Sequence, residues 1–415
     1  MPNILSDKNN VVVDDRQEEQ TGRLIFWLLL MTCALTLFGI IMLYSTSYYD
    51  TDSSKYYVNQ MIWTGAGFGA GAFVFIFGFR RLSQWSLVLI VGAILMLLAA
   101  RFCFPPIKGA YRWIQIPIPG FPVSIQPSEL AKLALAVFFS RYCAERFRTI
   151  NQIIPRNLKE FYEGPLPGIG VGLLLAACVY LGKDLGTTLL MFSVMGLVLF
   201  CTGMKLRFLV PPVLIFSTGG FFLLRHFSTY RWDRMTIFLD PEKHQLDEGY
   251  QLWHSFLAFG SGSWTGLGLS QSRLKANYLP EAHTDFIMSI VGEELGFLTM
   301  LIVLFAYFIF IVICARISIG SPTRQGMLLG TAVTGTLGLQ SIINIGVACG
   351  AFPTKGMPAP FISYGGSSML VCMISVGILF SIAMETLHPN YNDDIFAWFK
   401  SKLLFFKKAG SSHDR

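Results

Sequence analysis

Apolar residues gather along this chain in runs long enough to cross a bilayer, and polar residues gather between them. The runs fall at about 24–46, 57–79, 83–104, 126–144, 167–182, 186–204, 207–226, 286–314, 326–349 and 367–387. A helix of about 20 residues covers ~30 Å, the thickness of the hydrocarbon core. The pattern predicts an all-α integral membrane protein of about ten transmembrane helices, with a large outer loop, 227–285, between helices 7 and 8. Around this membrane region, 23–388, lie two tails, 1–22 and 389–415. Lys183-Asp184 interrupts the stretch 167–204, which predicts two short helices meeting at a tight polar turn. The polar residues before Leu24 make the first run a transmembrane helix behind a disordered tail, not a secretory signal. In the last tail, Ile395, Phe396, Trp398, Phe399, Leu403, Leu404, Phe405 and Phe406 stand among lysines, the composition of an interfacial amphipathic helix on an anionic leaflet.

Charge orients the bundle. Arg80-Arg81, then Arg146, Arg148, Arg156 and Lys159, then Lys205 and Arg207, then Arg316 and Arg324 fall in alternate loops. The positive-inside rule places these and both termini in the cytoplasm, so that 47–56, 105–125, 183–185, 227–285 and 350–366 face outward. Of the residues, 53% are hydrophobic and only 14% charged, a balance far from that of a soluble domain. The net charge of +7 belongs largely to short loops and the C-terminal tail, so it argues for no nucleic-acid partner. The eight cysteines show no CxxC or metal-like spacing and read as small apolar packers.

The distinctive polar residues collect in the outer loops. Lys275, Glu281, His283 and Asp285 lie together just before an apolar run. Charges near hydrocarbon are costly and mark substrate or ion paths by default, although Asp285 also stands where a helix cap would. Arg112 lies in Gly109-Ala-Tyr-Arg-Trp-Ile. Glu129 and Lys132, in Gln126-Pro-Ser-Glu-Leu-Ala-Lys, are three apart on one helix face and can pair. The glycine-rich run Gly260–Ser270 has the composition of a backbone that approaches a phosphate, without a Walker pattern. The last outer loop, from Pro353 through Lys355 to Ser363-Tyr364-Gly365-Gly366, is too rich in proline and glycine for a helix and suits a cavity wall.

In this order, these motifs resemble the SEDS family (FtsW, RodA and SpoVE), with wording nearest the FtsW cell-division branch. The resemblance rests on Gly109-Ala-Tyr-Arg-Trp-Ile, Gln126-Pro-Ser-Glu-Leu-Ala-Lys, Asp184-Leu-Gly-Thr-Thr, Tyr278-Leu-Pro-Glu-Ala-His-Thr-Asp-Phe-Ile, Gly292-Glu-Glu-Leu-Gly, Pro353-Thr-Lys-Gly and Pro360-Phe-Ile-Ser-Tyr-Gly-Gly-Ser-Ser. It implies a ten-helix peptidoglycan glycosyltransferase that polymerises lipid II at the outer face of the bacterial plasma membrane, with Asp285 catalytic. It also implies a class B penicillin-binding protein and other divisome proteins as partners, at the division septum. The substrate-binding set is then Arg112, Glu129, Lys132, Asp184, Lys275, Glu281, His283, Thr284, Lys355, Ser363, Tyr364 and Gly365. Gly182-Lys183 replaces the family's usual Gln-Pro before Asp184, and Lys183 is placed to pair with Asp184. Diphosphate chemistry at a carboxylate suits Mg²⁺ or Mn²⁺, with Asp285 a possible ligand, and calls for no organic cofactor. The alternative from another class is a lipid II flippase, since many spans with buried charges suit transport as well.

Overall fold

The computed structural model describes residues 15–47, 54–107, 109–116, 123–151, 158–227, 238, 240–245, 249–272, 282–354, 356–388, 391 and 394–395. Each of the apolar runs coincides with a helix. These are α1 (Asp15–Thr46), α2 (Ser54–Phe77), α4 (Ser86–Phe102), α5 (Pro127–Glu145), α8 (Leu166–Leu181), α9 (Leu185–Cys201), α10 (Leu206–Phe227), α12 (Ile287–Ile319), α13 (Arg324–Ala348) and α14 (Gly366–Leu387). Short helices α3 (Phe79–Gln84), α6 (Phe147–Asn151) and α7 (Leu158–Glu163) lie in the connections. Five of the helices (α1, α2, α12, α13 and α14) are long and apolar enough to cross a membrane by themselves.

Three features depart from the sequence pattern. Residues Ile114–Ile116 (β1) and Val123–Ile125 (β2) form an antiparallel pair within the all-α fold. The expected loop 227–285 contains a buried-faced helix, α11 (Tyr250–Gly262). Finally, α1 begins at Asp15, inside the segment expected to be tail. Most of the expected C-terminal interfacial helix lies outside the described residues.

Two apolar cores divide the bundle. One joins α1, α2, α12 and α14, with Leu28, Met42, Phe310, Leu329 and Ile378 among its buried members. The other joins α4, α5, α8 and α9 around Ile90, Leu135, Leu175 and Met191. Helix α13 contributes to both: Leu329 and Val333 face the first core, Leu328 and Ala332 the second. Helix α2 packs tightly along α14. A β-carbon on Gly377 would lie 2.3 Å from the Gly71 carbonyl oxygen, and one on Gly71 would lie 2.6 Å from that of Met373. Small residues let membrane helices approach this closely, because association there rests on packing more than on hydrophobic expulsion.

Helix α12 is broken at Gly296, whose φ of 76° and ψ of −177° interrupt the helical path. A break inside a membrane leaves backbone groups that water cannot satisfy. The glycine-rich segment after α11 supplies the missing partners. Leu267 N and Gly268 N donate to the carbonyls of Glu293 and Glu294, at 3.0 and 2.9 Å. In return, Phe297 N and Leu298 N donate to Ser263 and Trp264, at 2.9 and 3.2 Å. A β-carbon on Gly262 would lie 1.9 Å from the Gly292 carbonyl, so only glycine admits the contact. The glycine-rich run is therefore committed to repairing a helix break. Its Leu267 and Gly268 N–H groups are spent on α12 and do not face a phosphate.

Candidate active site

Asp285 closes the turn that feeds α12. The residue in the N-cap position is Phe286, which makes no side-chain cap. The Asp285 carboxylate lies over Gly356, where a β-carbon would come within 2.8 Å of Asp285 Oδ2.

The last loop is laced to this turn by backbone groups. Ser363 Oγ donates to the Thr284 carbonyl at 2.6 Å and accepts from Ala359 N at 2.8 Å. Tyr364 N donates to the His283 carbonyl at 2.9 Å. From α2, the fully buried Gln60 donates through Nε2 to Ser363 O at 3.3 Å, and its Oε1 accepts from Gly365 N at 3.2 Å. The His283 ring stacks on Tyr56 with centroids 4.4 Å apart, and Tyr364 meets Tyr56 edge-on at 4.9 Å. Burial pushes the Tyr364 phenol above its ordinary pKa against the pull of a hydrogen bond with Asn59, so it stays neutral at physiological pH.

Behind the loop runs a chain of buried polar side chains. Lys132 Nζ donates to Glu129 Oε1 and to Gln340 Oε1, both at 2.8 Å, and both ions are only 3% exposed. Gln340 Nε2 donates to Pro358 O at 2.9 Å. One turn along α13, Asn344 Nδ2 donates to Met357 O at 2.7 Å and to Asp285 O at 3.0 Å. The predicted Glu129–Lys132 pair is thus present, and it supports the loop through Gln340.

Asp184 anchors a second group. It is the N-cap of α9, accepting from Thr187 N at 3.2 Å, and its Oδ2 accepts from Thr187 Oγ1 and Ser128 Oγ, each at 2.9 Å. Lys183 does not pair with it. With φ at 64°, Lys183 turns outward and donates to the Gly109 carbonyl at 3.1 Å. Arg112 donates to the Lys183 carbonyl, fixing the turn. Gln126 N donates to Ser367 Oγ at 2.9 Å, tying this group to the start of α14.

The structure therefore brings together His283, Thr284, Asp285, Ser363, Tyr364 and Gly365. It links Glu129 and Lys132 to them through α13, and it gathers Asp184 and Arg112 in a neighbouring group. Lys275, Glu281 and Lys355 lie outside the described residues. Gln60, Gln340 and Asn344 escaped the sequence reading, and Gly356 entered it only within the motif Pro353-Thr-Lys-Gly. The signal for the amides was present, since polar side chains inside apolar spans are functional by default, and Gln340 and Asn344 are four apart. Among the described residues, no three His, Cys, Asp or Glu side chains gather as a metal cage.

Comparison with known proteins gives consistent matches. The FtsW/RodA/SpoVE model, described as cell cycle protein, matches residues 25–388. A probable peptidoglycan glycosyltransferase FtsW of Geobacter sp. (strain M18) is 34% identical over 371 residues, covering 86% of this chain and 95% of that one. Another of the same name, from Coxiella burnetii, is 35% identical over 379 residues, covering 87% and 96%. Among solved structures, a chain from work on polymerization and crosslinking by a peptidoglycan synthase complex superposes with a TM-score of 0.72 at 24% identity, covering 87% of this chain and 98% of that one. The Thermus thermophilus rod shape determining protein RodA superposes at 0.62 with 22% identity, covering 86% and 96%. Both share the fold.

Proposed function

We propose what this chain does from the family to which it belongs, FtsW/RodA/SpoVE, and from the arrangement around Asp285. It is a multi-pass membrane protein and a peptidoglycan glycosyltransferase of the cell-division type. Its substrate is lipid II, polymerised into glycan strands. The 4-hydroxyl oxygen of one sugar attacks the anomeric carbon of another, a new C–O bond forms, and the bond from that carbon to undecaprenyl diphosphate breaks. The diphosphate departs without a proton, so one carboxylate suffices, taking the proton of the attacking hydroxyl. Asp285 is that base. The observation that carries this reading is its placement: the backbone of the 282–286 turn is held from several sides while the carboxylate rests on a residue without a side chain. A base held in this way loses little to reorganisation as the reaction proceeds.

Negative charge growing on the diphosphate calls for cations. Lys275 and Lys355 are assigned here. Lys132 is engaged by Glu129 and Gln340, and Arg112 by the Lys183 carbonyl, so their described contacts support the site's walls. A divalent cation fits a single carboxylate when substrate supplies the other oxygens; Asp285 would hold it, and it would neutralise diphosphate charge.

The site faces outward if Arg80-Arg81, Arg146 and Arg324, at the other loops, face the cytoplasm with both termini. The membrane is then the bacterial plasma membrane, at the division septum. A class B penicillin-binding protein is the proposed partner, alongside other divisome proteins. The reading is tested with purified protein and lipid II, with and without that partner. Glycan polymer is the expected product. Movement of lipid II across vesicle bilayers without polymer would favour the flippase alternative.

A further inference from the structure

We infer that Asn344 is a positioning residue that holds Asp285 in register with the loop carrying Gly356. Its amide nitrogen has two partners, Asp285 O at 3.0 Å and Met357 O at 2.7 Å, one from each segment that meets at the site. Both partners are carbonyls, so the end of the amide that faces them must be the nitrogen, and no flip of the side chain serves. Met357 follows Gly356, the residue against which the Asp285 carboxylate rests. One side chain therefore fixes the backbone of the base and the backbone of the surface on which the base lies. Asn344 is 1% exposed, and its Oδ1 has no partner among the described residues. A buried amide left half satisfied is a poor choice for packing alone, and leucine would fill the space without that cost. What leucine lacks is the two donors. Gln340, one turn earlier, repeats the device by donating to Pro358 O, so the two carboxamides hold the consecutive carbonyls of Met357 and Pro358 together with that of Asp285.

The inference rests on Asp285 being the base of a lipid II polymerase, and the test separates the two. Asn344→Leu keeps the volume and removes both donors, whereas Asn344→Gln keeps the donors on a longer arm. Each is compared with wild type and with Asp285→Asn for polymerisation kinetics, thermal melting and amide hydrogen exchange. In Asn344→Leu, exchange should speed up in the segments around 285–287 and 357–359 while α4 and α9 keep wild-type rates. A displaced base can cost roughly a hundredfold, so kcat should fall roughly ten- to a hundredfold with KM for lipid II little changed. Asn344→Gln should recover part of kcat. Unchanged exchange in those segments overturns the inference, as does faster exchange with kcat at the wild-type level. If Asp285→Asn polymerises as fast as wild type, the assignment of the base has failed, and the catalytic half of this inference falls with it. The exchange result still decides the clamp.

Discussion

Gly356 is glycine because the Asp285 carboxylate occupies the place of its side chain. A methyl at 2.8 Å from Oδ2 is closer than contact allows, so Gly356→Ala must push the carboxylate aside or lift the loop. Polymerisation by Gly356→Ala should fall at least tenfold by analogy with other small misplacements of a reacting group. Thermal melting, measured on the same sample, should change little. His283 stacks on Tyr56 and lends its carbonyl to Tyr364, and the role proposed for it is to shape the site. His283→Ala should accordingly lose less activity than Asp285→Asn in side-by-side polymer assays. The Glu129–Lys132 pair obeys a different rule, because removing one partner strands a buried charge. Lys132→Met should destabilise by ~3–5 kcal/mol, and Glu129→Gln combined with Lys132→Met should melt nearer to wild type. Equal melting of the single and double variants would contradict that. At this scale the sequence was informative where charged side chains meet each other, as at Glu129 and Lys132. It was silent where a backbone carbonyl is the partner. Nothing in the residue types tells that Asn344 reaches Asp285 O across the bundle.

At the scale of elements, apolar length alone located the long helices of the apolar runs, though not α11 or the short helices between them, since a lipid-facing helix must be apolar over its whole span. The turn at Gly182–Asp184 was legible too, from two charged residues inside an apolar stretch. The hairpin was not, because three-residue strands carry too short an alternation to stand out from a loop. Nor was the break in α12. Gly292-Glu-Glu-Leu-Gly296 reads as helix, and what breaks it is an exchange of backbone hydrogen bonds with residues 263–268, far away in sequence. Gly296→Ala tests this. A β-carbon there would lie 2.4 Å from Gly266 N, in a backbone conformation that disfavours side chains. The variant should melt earlier by about 1–3 kcal/mol from strain alone. Gly65→Ala, where the added carbon meets nothing, should melt like wild type.

At the scale of the molecule, the two apolar cores meet along α13, and that helix also carries Gln340 and Asn344. One element thus joins the two halves and supports the site from behind. The sequence pattern supplied the halves' helices but not their pairing, since lipid-facing and core-facing apolar residues look alike along a membrane span. The polar groups around Asp285 and Asp184 gather at one end of the bundle, which suits chemistry on substrate delivered from one leaflet. The most direct test of that chemistry is the rate of glycan polymer formation from lipid II by purified Asp285→Asn protein, with the proposed partner synthase present and the variant's thermal melting checked. The substitution keeps size and removes charge, so polymer should be abolished while melting stays at the wild-type temperature. Polymer at near the wild-type rate would contradict the assignment of Asp285 as the base.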